Sequence, residues 1–312
     1  MGNWTKLLEQ ALTDQGPGLA TALRCDEPLS RHTTFRIGGP ARAFLVVDRL
    51  EDLKAVLAFC RNQRVVWKLI GAGSNLLVSD QGFPGVVIRL GSGFAGLKVE
   101  DSAVQAEAGM PLADLVEQMR ARSLSGVEFL WGIPGTLGGA LRMNAGAYGQ
   151  EIGDIAGNVS VVFPDGREAV LSRKEMRFCY RRTSLPEDAV ILNAVLKLRP
   201  AETEEIERKT ADFKKRRLES QPKGASAGCV FRNPKGDAAG RLIDQAGLKG
   251  RRIGDAVVST RHANFIINQG SARFSDVYQL MELIRLKVEA KSGVVLEPEV
   301  EILAALEKTD SR

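Results

Sequence analysis

GAGSNLLVSDQGFPG, residues 71–85, decides between two ways of building a nucleotide-binding fold. It follows a predicted strand, VVWKLI (65–70), where the glycine turn of a dinucleotide-binding Rossmann unit would stand. That fingerprint requires G-x-G-x-x-G leading straight into a helix whose N-terminus meets the pyrophosphate. Gly71 and Gly73 are in place, but position 76 is Leu, and the chain continues as a short apolar piece and a second turn. The Rossmann reading fails on this context. What remains is a tight turn of Gly71, Ala72, Gly73, Ser74 and Asn75. It either presents successive backbone N–H groups and two polar side chains to a phosphate or serves as a plain structural turn.

The flanking sequence reads as strand (41–47), helix (51–63), strand (65–70), the glycine turn, and strand (85–90). The helix rests on Leu53, Val56, Leu57 and Cys60 at helical spacing. A second stretch repeats the grammar with strand AVQAEAG and helix PLADLVEQMRARSL, proline in its first turn. Then comes GVEFLWGIPGTLGGALRMNAGAYGQEIGD, too rich in glycine for a helix or strand interior. NVSVVF and REAVLS flank Pro-Asp-Gly as a hairpin, VILNAVLKL is a strand, and a polar helix spans 202–219. The last segment holds a helix (AAGRLIDQAGLKG), two strands (RIGDAVVS, ANFIINQG), a helix that Ser275 caps and Gly293 stops, and the strand VVLEPEVEIL. The layout is α+β with a boundary near residues 200–220.

The second glycine passage bears on the first. Gly135, Gly138 and Gly139, followed by Asn144, Ala145 and Gly146, offer further places where backbone can approach a ligand closely. Two such loops suit a ligand as long as a dinucleotide, although glycines also serve close packing between domains.

The 312 residues, 44% of them apolar, suggest about two domains with real cores. No apolar run, including the opening MGNWTKLLEQALTDQG, reaches the length of a signal peptide or membrane span, so a cytoplasmic protein without a membrane partner is expected. Cys25, Cys60, Cys179 and Cys229 form no C-x-x-C and the only histidines are His32 and His262, so neither a zinc site nor a disulfide framework is expected. No carboxylate cluster points to another metal. The 43 basic and 38 acidic residues give a net charge of +5, which suits an anionic small substrate as well as nucleic acid. Lys214, Lys215, Arg216 and Arg217 end a helix that opens with Glu202, Glu204, Glu205 and Glu207. That polarity matches the helix dipole, so the run reads as a solvated helix end or as an anion-binding patch.

HTTFRIGG (32–39), GAGSNLLVSD (71–80), IPGTLGGALRMNAGAYG (133–149), Tyr180-Arg181, AGCVFRNP (227–234), GRLIDQAGLKG (240–250) and LEPEVEIL (296–303) together resemble the bacterial UDP-N-acetylenolpyruvoylglucosamine reductases, known as MurB. The resemblance runs in order from about residue 30 to 303. It implies an FAD enzyme with a two-subdomain FAD-binding fold of the vanillyl-alcohol oxidase (PCMH-like) type plus a C-terminal α+β substrate domain. The expected division is 1–90 and 91–205 for the two FAD-binding subdomains and 206–312 for the substrate domain. On this resemblance Gly71, Ala72, Gly73, Ser74 and Asn75 cradle the pyrophosphate of FAD. Ile133, Pro134, Gly135, Gly138, Gly139, Ala140, Asn144, Ala145 and Gly146 line the flavin cleft.

The implied reaction is the NADPH-dependent reduction of UDP-N-acetylglucosamine enolpyruvate to UDP-N-acetylmuramate in peptidoglycan precursor synthesis. A hydride passes from flavin N5 to C3 of the enol ether and a proton is delivered to C2. Electron density that gathers at C2 and its carboxylate calls for fixed positive charge and a positioned acid. The resemblance gives these roles to Arg181 (stabilising charge), Cys229 (proton donor) and Glu299 (second acid), with Glu297 the competing carboxylate two residues away on the same face of a strand. Apart from the resemblance, Arg181 reads equally as a surface arginine, Cys229 as a small buried residue and Glu299 as a solvated carboxylate. Arg217 and Asn233 match contacts to the UDP diphosphate, Arg217 standing where lysine is usual.

Two departures stand out. Cys229 replaces the usual serine; a thiol is more acidic than a hydroxyl yet keeps its proton at neutral pH, so reduction is expected to survive, at the risk of oxidation beside a flavin. Ser226 would donate only if the register shifted, and Phe231, Asn233 and Pro234 fix the register. The chain also lacks a tyrosine between Tyr180 and Tyr278, so it resembles the shorter form without a tyrosine loop over the substrate. A monomer without a nucleic-acid partner is expected. The alternatives are a flavin oxidase of the vanillyl-alcohol oxidase type acting on another substrate, and, outside enzymes, a sugar-nucleotide sensor or a basic nucleic-acid binder.

Overall fold

A computed structural model describes residues 4–15 and 23–304, so Met1, Gly2, Asn3 and Gly16 of the opening stretch lie outside the described residues. The chain forms two compact units and passes between them repeatedly. The first comprises residues 1–25, 43–71 and 85–217, the second residues 26–42, 72–84 and 218–312.

The first unit contains two sheets. One is four-stranded, in the order Leu23–Pro28, Pro40–Val47, Phe83–Leu90 and Trp67–Ile70, with Trp67–Ile70 running parallel to Phe83–Leu90. The helices Trp4–Gln15 and Leu50–Gln63 lie with it. Leu53, Val56, Leu57 and Cys60 are buried, as their spacing predicts, and pack with Leu8, Leu45, Val86 and Ile88. The other sheet is five-stranded and antiparallel, in the order Glu168–Leu171, Ala156–Val162, Val190–Lys197, Ala103–Glu107 and Leu97–Glu100. Its central strand Val190–Lys197 is nearly continuously buried, as a strand covered on both faces should be. Pro164-Asp165-Gly166 closes the expected hairpin, with the Phe163 N–H donating to the Arg167 carbonyl. The helices Leu112–Arg120, Leu137–Arg142 and Thr203–Ser220 complete this unit.

The second unit packs the helices Ala239–Gln245 and Phe274–Ser292 with a small antiparallel sheet of Arg252–Ile253, Ala256–Val258 and Ile266–Asn268. A separate parallel pair joins Glu301–Leu303 to Leu76–Val78. Its core mixes Phe35, Ile37 and Leu77 with Val230, Phe231, Ile243, Leu280 and Ile284. Three pieces of chain far apart in sequence therefore share one interior.

The structure departs from the sequence reading at several places. RIGDAVVS, read as one strand, is two, Arg252–Ile253 and Ala256–Val258, paired antiparallel across Gly254 and Asp255. Pro111 is the N-cap of its helix and not its first turn, with extended backbone that its ring favours. The helix 274–292 is not capped by Ser275; its N-cap is Arg273, whose N–H donates to the Asp276 carboxylate at 3.0 Å. Gly293 does end it, in the left-handed region. The glycine-rich passage, read as too rich for a helix, contains the short helix Leu137–Arg142, capped by the Thr136 hydroxyl. Gly138 is required there because a side chain would press on Ala108 at 2.9 Å. Finally, VVLEPEVEIL is a strand only over Glu301–Leu303; Pro298, without an N–H, leaves the preceding residues tied by isolated bonds.

Candidate active site

Within the first unit, the loop 133–146 is fastened to the chain beside it. The Leu112 N–H donates to the Gly135 carbonyl, Leu137 N–H to Met110, and Gly138 N–H to Ala108, at 2.8–3.0 Å. Gly71 approaches Thr136 so closely that an added Cβ would lie 2.7 Å from its hydroxyl. Ile133 and Gly135 are half-buried and Pro134 and Gly139 exposed, whereas Ala140 points into the core. At the exposed Gly139 a Cβ would meet only the Thr136 hydroxyl, 3.6 Å away. Gly146 begins a tight hairpin in which a Cβ would meet the Gln150 carbonyl at 2.6 Å, and the Ile152 N–H donates to the Ala145 carbonyl. Asn144 differs from the rest of the passage: it is 1% exposed and its carboxamide bonds to backbone on both sides.

Arg181 is half-buried, not a simple surface arginine. It is the third of the four residues of a turn closed by reciprocal bonds between the backbones of Cys179 and Arg182, 2.9 and 3.2 Å long. Its φ of +58° is the left-handed conformation that glycine usually supplies at that turn position. The guanidinium stands 5.3 Å from the Tyr180 ring. Elsewhere in the same unit, the basic run packs against its neighbours and is more than a solvated helix end. Lys214 lies over Trp131, Arg216 over Tyr148, and the Arg217 side chain rests against Gly132, whose missing Cβ would fall 2.8 Å from Arg217 Cδ.

Within the second unit, Gly73 is buried in the turn where a Cβ would sit 2.0 Å from the His32 carbonyl oxygen, and the Gly73 carbonyl accepts from the Thr34 N–H. Asn75 looks the other way. Its carboxamide donates to the Glu299 carbonyl at 3.1 Å and its own carbonyl accepts from the Glu301 N–H. Glu299 is also held by its N–H, which donates to the Val230 carbonyl at 2.7 Å, so the residue after Cys229 and the second predicted acid are hydrogen-bonded neighbours. Both Cys229 and Glu299 are half-buried. Glu297 is 75% exposed at its side chain and pairs with Arg232, which separates the two carboxylates that sequence placed on one face. Gly228, just before Cys229, has φ +74° and open space where a Cβ would stand. Asn233 is exposed, and its side-chain oxygen accepts from the Ala239 N–H at the start of a helix.

Two further residues carry weight that sequence reasoning missed. Thr136 caps the helix beside Gly139, and its position three residues before that glycine was the available signal. Asn264, 2% exposed, brackets Phe231 with both ends of its carboxamide and so fixes the Cys229 segment. A lone asparagine before a strand gives no such signal. Of the other cysteines, burial pushes the Cys60 thiol up to about 12, which makes it inert, while Cys25 and Cys179 are exposed. Among the described residues no group of three or more His, Cys, Asp or Glu side chains is gathered for a metal ion, and no helix is long and apolar enough to cross a membrane.

Comparison with known proteins bears on both units. Residues 41–172 match a family model described as an FAD binding domain, and residues 220–303 match one described as the UDP-N-acetylenolpyruvoylglucosamine reductase C-terminal domain. UDP-N-acetylenolpyruvoylglucosamine reductase 2 of Symbiobacterium thermophilum is 44% identical over 90% of this chain and 92% of its own length. The protein of that name from Caldanaerobacter subterraneus is 43% identical over 90% and 93%. The crystal structure of the Thermus caldophilus reductase covers 90% of this chain and 98% of its own at 40% identity, with a TM-score of 0.78. The expected α+β arrangement of an FAD-binding domain followed by the family's C-terminal domain is thereby established. On these matches the chain belongs to the UDP-N-acetylenolpyruvoylglucosamine reductase family.

Proposed function

We propose that this protein reduces UDP-N-acetylglucosamine enolpyruvate to UDP-N-acetylmuramate in peptidoglycan precursor synthesis, taking its electrons from NADPH, and that Arg181, Cys229 and Glu299 carry the charge and proton chemistry. The observation that supports the assignment best is the bond from Glu299 N–H to the Val230 carbonyl, which holds the two predicted acids on adjoining segments next to the open position at Gly228.

The residues present fit FAD. Gly139 is exposed and a Cβ there would make only ordinary contact with the Thr136 hydroxyl, so backbone beside the Thr136-capped turn stays open to a ligand, while Gly71 and Gly73 let the turn pack tightly on Thr136 and His32. Gly71 to Ser74 and the 133–139 and 144–146 backbone are the parts that would hold it. When bound, the flavin supplies a hydride acceptor for NADPH and a hydride donor toward C3 of the substrate. The protein's own groups do the rest. Arg181 stabilises negative charge growing on the substrate carboxylate and C2, and its half-burial strengthens that interaction relative to water. The Cys229 thiol gives its proton to C2, and Glu299 polarises the carboxylate from its fixed backbone position. Arg217 and the Asn233 amide bind the diphosphate. A monomeric, cytoplasmic enzyme fits these requirements.

Cys229→Ala tests the proton donor. We expect flavin bleaching by NADPH to continue at close to its normal rate while substrate turnover slows by about 10²-fold or more. Undiminished turnover in that variant would remove Cys229 from the mechanism.

A further inference from the structure

Asn144 stands in the loop expected to line the flavin cleft, yet its side chain is committed elsewhere. It is 1% exposed, with φ +43°. Its Oδ1 accepts from the Gly153 N–H at 3.0 Å, and its Nδ2 donates to the Cys179 carbonyl at 3.1 Å. Gly153 closes the space around it, because a Cβ there would lie 2.8 Å from both Asn144 Oδ1 and Phe178 Cβ. The carboxamide can neither rotate away nor swap ends without leaving a buried backbone group unsatisfied.

The carbonyl it grips is the one that closes the Arg181 turn, since Cys179 oxygen also accepts from the Arg182 N–H at 3.2 Å. A carbonyl oxygen has two lone pairs, so both bonds can stand together. That turn spans only Tyr180 and Arg181, and it holds Arg181 at φ +58° with no glycine to relieve the strain. A strained two-residue turn needs an anchor outside itself, and Asn144, 35 residues away in sequence, supplies one. We propose that Asn144 is a positioning residue for Arg181: its buried carboxamide fixes the Cys179–Arg182 turn, and through it the direction of the guanidinium. This rests on the role given to Arg181 above. The arginine side chain is long, so a small rotation at Cys179 becomes a large displacement at its tip.

Two substitutions separate this from a general packing role. Asn144→Gly keeps the left-handed backbone and removes the carboxamide; Asn144→Asp keeps the acceptor for Gly153 and loses the donor to Cys179. Each is made in the flavin-loaded enzyme, alone and combined with Arg181→Ala. We expect either variant to slow substrate reduction by about 10- to 100-fold, the cost of a misplaced group. The slowing should be at least about tenfold larger than any slowing of flavin reduction by NADPH, and it should vanish in the Arg181→Ala background, as for residues acting as one unit. Without any substrate, the Cys179 and Arg182 amides should exchange their hydrogens about tenfold faster or more in both variants. An equal loss with and without Arg181, or unchanged exchange at those two amides, overturns the proposal. If Arg181→Ala alone reduces substrate at the wild-type rate, the role of Arg181 itself fails, and this inference fails with it.

Discussion

Arg181 occupies the turn position that glycine would take at least cost, at φ +58°, with its side chain half-buried. A non-glycine residue in the left-handed region loses roughly 1 kcal/mol or more relative to glycine. Strain of this kind persists where the side chain is used. We therefore expect Arg181→Gly to leave the melting temperature unchanged or slightly raised while substrate reduction falls by at least about 10²-fold. Thermal melts and turnover assays on the same preparation check this, and a clear drop in melting temperature would mean that the arginine side chain itself holds the turn. The backbone state of Arg181 is invisible in Tyr-Arg-Arg-Thr as a sequence, which reads equally as a surface run. Glu299 against Glu297 is likewise undecidable from alternation; in the structure the Glu297 side chain is 75% exposed and paired with Arg232, whereas Glu299 is half-buried.

The short elements were the hard ones to read. Leu50–Gln63 is legible because Leu53, Val56, Leu57 and Cys60 recur at helical spacing, and the Pro-Asp-Gly hairpin because its turn chemistry is local. Leu76–Val78 and Glu301–Leu303 are three residues each, too short to show a period, and they pair across more than two hundred residues. Asn75 reaches Glu299 over 224 positions, and such side-chain-to-backbone bonds leave no pattern in sequence. The glycines carry the same lesson, since Gly73 and Gly293 both lie in the left-handed region at φ +63° and +70°. Around Gly293 there is open space, whereas at Gly73 a Cβ would sit 2.0 Å from a backbone oxygen. Gly293→Ala should thus cost about 1 kcal/mol, the conformational term alone. Gly73→Ala should cost about 3 kcal/mol or more, because backbone must move. Urea unfolding of the two variants measures the difference; equal losses would show that the turn at Gly73 yields easily and is not the rigid cradle argued above.

At the scale of the molecule, the chain's repeated passage between units has a consequence for how it can be divided. The match to a C-terminal domain covers 220–303, which suggests a piece that folds by itself. Yet the interior of that unit includes Phe35, Ile37 and Leu77, each at most 2% exposed, contributed by residues 26–42 and 72–84. Burying each of these side chains is worth about 1.5–3 kcal/mol. Together that approaches the whole stability of a small domain, about 5–15 kcal/mol. A fragment of residues 218–312 would also lose Leu76–Val78, the partner strand of Glu301–Leu303, and with it the hold of Asn75 on Glu299. We expect this fragment to show no cooperative urea transition and poorly dispersed amide proton signals, although the intact protein unfolds sigmoidally. Local periodicity reports which residues form a helix or strand and says nothing of which distant pieces share a core, so this dependence had to come from the contacts. A fragment that melts cooperatively would show that the C-terminal residues close their own core, and that the two inserted segments serve the site and not the fold.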